Sequence, residues 1–143
     1  RLNIALRERN GIAYNLESNY QPFSDTGLLS IYCGTDDNLM PRAIELIHNE
    51  LTKLKEIKLT TVGLHTAQRQ IKGQLAISLE SHQNEMLAIG KNLLVYGKTD
   101  PVEEIYRKID AITANDLMGM ANEVFDIPNL SMLVFSNLKN AKR

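Results

Sequence analysis

Few side chains in this sequence have types and spacing suited to chemistry. Arg7 and Tyr14 are seven residues apart, on either side of Asn10-Gly11. Arginine offers five fixed N–H donors and tyrosine one hydroxyl. Such a pair, on one side of a turn, suits a carbonyl and the oxyanion that develops from it. The plainer reading is a surface arginine and a packed tyrosine. His48, His65 and His82 invite a metal, with His82-Gln83-Asn84-Glu85-Met86 the most tempting segment. It approaches the inverted zincin pattern His-x-x-Glu-His, in which two imidazoles and a general base share one helix face. Met86 stands where the second histidine belongs, and a thioether is a poor zinc ligand. His48 and Glu50 are two apart and point to different helix faces. The ordinary reading of all three histidines is surface helix. The single Cys33 falls among apolar strand residues, excludes an intrachain disulfide and reads as a packing thiol. There is no glycine-rich phosphate loop.

The elements that would place these residues follow from periodicity. Leu2 and Leu6 share one face of a helix that Asn10-Gly11 ends. Ile12, Tyr14, Leu16, Ser18 and Tyr20 then alternate with more polar residues, predicting a half-buried strand over 12–21. Pro22 to Gly27 is a turn cluster, and a second strand over 27–34 closes an antiparallel hairpin. Asp36, Asp37 or Asn38 is placed to cap a helix whose apolar positions are Met40, Ala43, Ile44, Ile47, Leu51 and Leu54. Thr60 or Thr61 starts a long helical stretch to about Tyr96, too long for one straight rod in a domain of this size, so a break is expected at Ser81 to Asn84. Asp100-Pro101-Val102-Glu103 reads as N-cap, N1 proline and N3 glutamate. Thr113 to Asp116 opens a further helix, and 129–135 reads as a final strand before a polar tail. The expected fold is α+β: an antiparallel sheet of about three strands (12–21, 27–34 and 129–135), packed on one face by four to five helices.

The 143 residues suit one domain, spanning 1–143, and 43% hydrophobic residues supply a core that must be aliphatic, because there is no Trp. Sixteen Lys and Arg against 17 Asp and Glu give a net charge of −1, which argues against a nucleic-acid surface. No apolar run is long enough to span a membrane. Arg1 to Arg7 already reads as helix, without a cap or an apolar leader region, so the segment reads as part of a longer chain that was cut near or inside a helix. The compartment stays open among cytoplasm, periplasm and organelle.

Arg1 to Tyr14 resembles the C-terminal-half signature of the pitrilysin/insulinase family of zinc peptidases, which includes the mitochondrial processing peptidase: a helix ending Leu6-Arg7-Glu8, then a Gly11-Ile12-Ala13-Tyr14 strand. Further pieces follow in the family's order: Ser24 to Leu28, Gly34-Thr35-Asp36, Lys58-Leu59-Thr60, Lys72-Gly73-Gln74, Leu93 to Gly97, Ile109 to Leu117, and Ala121 to Phe125. The resemblance implies an N-terminally truncated, non-zinc-binding half-domain. The zinc and its His-x-x-Glu-His site are then expected in another domain or a partner subunit of the full-length protein, with no cofactor in this segment. It also implies that Arg7 and Tyr14 orient a peptide substrate and stabilise its oxyanion. A catalytically inactive member serving as scaffold or partner subunit is the alternative it leaves open.

Overall fold

The computed structural model describes residues 1–136, which fall into two compact units: Arg1–Ile57 with the segment from Met120 onward, and Lys58–Gly119.

The first unit is built on a hairpin, β1 (Ala13–Pro22) and β2 (Gly27–Thr35), paired antiparallel from Pro22↔Gly27 to Ala13↔Thr35. A two-stranded hairpin alone is marginal in water. Here one face is covered by helix α1 (Met40–Glu56) and by a π-helical turn, Asn3–Glu8. The core joins Leu6, Ile12, Ala13 and Ala43, with Leu2, Ala5, Leu16, Cys33, Leu46 and Ile47 packed around it. Leu6 is fully buried. The end of α1 is tied to a later segment by the Lys55 ammonium, which donates to the Phe125 carbonyl at 2.8 Å, and by Asn122, which donates to the Lys55 carbonyl at 3.1 Å.

The second unit contains α2 (Thr61–Leu79), α3 (His82–Tyr96), α4 (Val102–Ala111) and the first turns of α5 (Ala114–Val124). The expected break is present. Thr60 caps α2 by accepting from the Gly63 amide at 3.1 Å, and Ser81 caps α3 by accepting from Asn84 at 3.4 Å. Gly97, at φ 70°, ends α3 in the left-handed conformation that glycine adopts without penalty. Thr113 and Asp116 form a reciprocal cap at the start of α5. The Asp116 carboxylate accepts from the Thr113 amide at 2.8 Å, and the Thr113 hydroxyl accepts from the Asp116 amide at 3.2 Å.

Several expectations need correcting. The segment 129–135 is not a strand. Asn129 ends a short 3-10 turn, and Leu130 to Phe135 has no ladder partner among the described residues. Its apolar run reads as a strand, but a strand exists only where a neighbour supplies the other half of the hydrogen bonds. Met132, Leu133 and Phe135 are exposed. Asp100 is not the N-cap of α4; that place falls to Pro101, and the Asp100 carboxylate pairs instead with Lys98 and Lys108. Leu39, rather than an acidic side chain, precedes α1, and Asp36 contributes its backbone carbonyl to that turn. All but the first residue of the polar tail lies outside the described residues.

Candidate functional site

Arg7 and Tyr14 both lie in the first unit, at the two ends of the turn that joins the π-helical segment to β1. The turn is closely specified. The Gly11 amide donates to the Arg7 carbonyl at 3.0 Å, and the Ile12 amide donates to the Leu6 carbonyl at 2.8 Å. The Asn10 side chain donates to the Ala5 carbonyl at 2.6 Å, covering a helix-end acceptor. Gly11 has φ 61°, a conformation that side chains with a Cβ rarely adopt. Burial of Leu6 on one side and Ile12 on the other pins the turn, so Arg7 is held outward next to a fixed anchor. Its guanidinium makes no ion pair among the described residues and keeps its donors free.

Simple alternation put Tyr14 on the same face as Ile12 and Leu16. The ladder runs differently. It pairs Ala13 with Thr35 and Asn15 with Gly34, which leaves Tyr14 as an extra residue in a β-bulge. Ile12 and Ala13 are therefore both buried, and Tyr14 is turned out, with 66% of its surface exposed. Bulges re-aim side chains in this way. Across the bulge the Thr35 hydroxyl donates to the Ile12 carbonyl at 2.8 Å and holds the end of β2 against the start of β1. Interaction with the neighbouring Asp36 carboxylate, and then partial desolvation, raises the Tyr14 phenol above its ordinary pKa. Sequence reasoning took Asp36 only as a helix-cap candidate; its sequence neighbour Gly34-Thr35 marks the strand end, but nothing local marks the bulge.

The histidines are not brought together. His48 is on α1, His65 on α2 and His82 on α3. His65 pairs with the Gln68 side chain at 3.1 Å, and the exposed His82 lies 3.7 Å from Glu85. Among the described residues no group of three or more His, Cys, Asp or Glu is placed to hold a metal. A zinc ion needs about three converging protein ligands, so these residues do not fit one. Cys33 is half-buried at the margin of the core, where burial pushes its thiol pKa up and makes a thiolate nucleophile less available. No described helix is long and apolar enough to cross a membrane.

Residues 1–71 match the family model described as "Peptidase M16 inactive domain". An uncharacterized zinc protease of Bacillus subtilis is 35% identical over 120 residues, covering 84% of this chain and 29% of its own length. The beta subunit of the mitochondrial-processing peptidase of Saccharomyces cerevisiae is 28% identical over 140 residues, covering 95% of this chain and 30% of its own. Among solved structures, a chain of complex III2 from Candida albicans superposes with a TM-score of 0.76 at 25% identity, covering 86% of this chain and 29% of that one. The chain thus spans less than a third of each of these relatives. By its match over residues 1–71 and its similarity to these relatives, the chain belongs to the pitrilysin/insulinase (M16) peptidase family, in the domain that the family model describes as inactive.

Proposed function

We propose that this segment is the substrate-side, non-zinc-binding domain of a larger zinc metallopeptidase, single over residues 1–143, and that Arg7 and Tyr14 are its working residues. The observation that carries the reading is the turn between them. It buries the residues next to Arg7 and just before Tyr14, and leaves both functional side chains exposed on one compact unit. On this reading the zinc is held by another domain or a partner subunit. The domain contributes the donors that orient a peptide backbone and stabilise the oxyanion as a carbonyl is attacked. Peptides or unfolded segments are the substrates. The relatives' names, zinc protease and processing peptidase subunit, support the same class.

A scaffold or inactive partner subunit is the second reading, favoured by the match to a domain described as inactive. Arg7 and Tyr14 weigh against it, since a scaffold does not need an unpaired guanidinium and a turned-out phenol at one turn. The intact parent protein separates the two. A peptidase hydrolyses an unstructured peptide, loses that activity on chelation and regains it with zinc. A protein that hydrolyses nothing, alone or with its partner subunit, is the scaffold.

A further inference from the structure

We propose that Asn10 is a positioning residue for Arg7: its side-chain amide holds the preceding turn in the wide register from which the guanidinium is presented. This rests on the reading of Arg7 as a substrate-facing residue.

The segment Asn3–Glu8 is π-helical, a form that is rare and recurs at functional sites. An α-helix closes each turn with the amide four residues on, a π-helix with the amide five residues on. The Ala5 amide still reaches back four residues, to the Arg1 carbonyl at 2.9 Å, whereas the Arg9 amide reaches back five, to the Ile4 carbonyl at 3.0 Å. The α register would send the Arg9 amide to the Ala5 carbonyl instead. That carbonyl is taken by the Asn10 side chain at 2.6 Å. A carbonyl only accepts, so the Asn10 NH2 faces it. The next two carbonyls are closed as well, Leu6 by the Ile12 amide at 2.8 Å and Arg7 by the Gly11 amide at 3.0 Å. Of these four donors, Asn10 alone acts through its side chain, so it alone is removed by a substitution that leaves the backbone intact. The backbone at position 10 does not itself call for asparagine. The left-handed conformation falls on Gly11, and among the described residues only glycines have a positive φ. Without the Asn10 amide, the Ala5 carbonyl is open to the Arg9 amide, and the turn can tighten to the α register. Leu6 is fully buried and acts as the anchor. Tightening therefore turns Arg7 about Leu6 and changes where the guanidinium points.

The test is a double-mutant cycle in the intact parent protein, with kcat and KM for an unstructured peptide measured for Asn10→Ala, Arg7→Ala and the Asn10→Ala/Arg7→Ala pair, beside the melting temperature of each. The expected result is a fall of about fivefold in kcat/KM for Asn10→Ala, the scale of one hydrogen bond. That fall should divide between kcat and KM as it does in Arg7→Ala, and it should be absent when Arg7 is already Ala. Asn10→Leu, close to asparagine in size but without a donor, should fall as far as Asn10→Ala. Asn10→Leu at the unmodified rate would show that the side chain acts by bulk and would overturn the proposal. An equal loss from Asn10→Ala in both backgrounds, or collapse of the fold in both Asn10 variants, would show a purely structural role and overturn it too. If the unmodified protein hydrolyses nothing, or Arg7→Ala is without effect, the substrate-facing reading of Arg7 falls and this inference with it. An effect of Arg7→Ala without coupling to Asn10 removes only the inference.

Discussion

The two units of the chain are held by different means. In the first, apolar side chains from three elements converge: Leu6 from the π-helical turn, Ile12 and Ala13 from the start of the hairpin, and Ala43 from α1. In the second, the one buried side chain among the described residues is polar. Gln68 on α2 donates to the carbonyls of Ile109 at 3.1 Å, Asp110 at 3.3 Å and Ile112 at 3.1 Å, at the end of α4, where the Ile109 carbonyl also accepts from the Ile112 amide. Lys72, one turn further along α2, adds an ion pair to Asp110 at 2.7 Å and lies 5.9 Å from the Tyr106 ring centre. Many apolar residues of α2 and α3 stay exposed, including Ile77, Met86 and Leu94. The candidate site sits on the unit with the apolar core. A donor meant to meet a transition state must not wander, and close packing around Leu6 supplies that rigidity.

This contrast can be broken from either side. The largest effect is expected in the first unit. Leu6→Ala should destabilise it by about 2–5 kcal/mol, the range for a large-to-small change at a fully buried site, as read by urea unfolding. A loss well under 1 kcal/mol would mean that the core is not what holds the Arg7 turn. Next comes the polar bridge. Gln68→Leu leaves carbonyls at the end of α4 without their donor and should cost about 1–3 kcal/mol. Hydrogen exchange should show faster exchange at the Ile112 amide, with the hairpin amides unchanged. A smaller effect belongs to Lys72→Ala. Its partner Asp110 is half-exposed, and such pairs contribute about 0–1 kcal/mol.

The smallest effect concerns pH. Hydrogen bonds from the Thr113 side chain and backbone hold the Asp116 carboxyl below its ordinary pKa. A carboxylate whose pKa is lowered by folding stabilises the fold above its unfolded pKa, and that contribution is lost as pH falls through the folded value. The first turn of α5 should therefore fray on acidification below the ordinary carboxylate range. Asp116→Asn should flatten that dependence. A first turn that melts at the same pH in both proteins would assign the fraying to another group.

Much of this was legible in the sequence because it is local. The hairpin, the turn at Asn10-Gly11, the threonine cap at Thr60 and the break at Ser81 all rest on residues within a few positions of each other. What was not legible depends on pairing at a distance. The bulge at Tyr14 is set by how β1 aligns with β2, and strict alternation through Ile12, Tyr14 and Leu16 concealed it. Gln68 reads as one more polar helix residue until α4 is seen ending against it. Leu130 to Phe135 has the composition of a strand, but composition cannot supply a partner. At the site, the residue types and the seven-residue spacing were visible from the start, whereas the outward turn of Tyr14 was not.

The central claim is a division of labour, with Arg7 acting on the substrate and the metal held elsewhere. It is tested most directly by measuring peptide hydrolysis and bound zinc together in the intact parent protein carrying Arg7→Ala. The account predicts a fall in kcat/KM of about 10²-fold, the scale of losing one oxyanion donor, with zinc content unchanged. Unchanged kcat/KM in a folded variant, or loss of zinc along with activity, would contradict it.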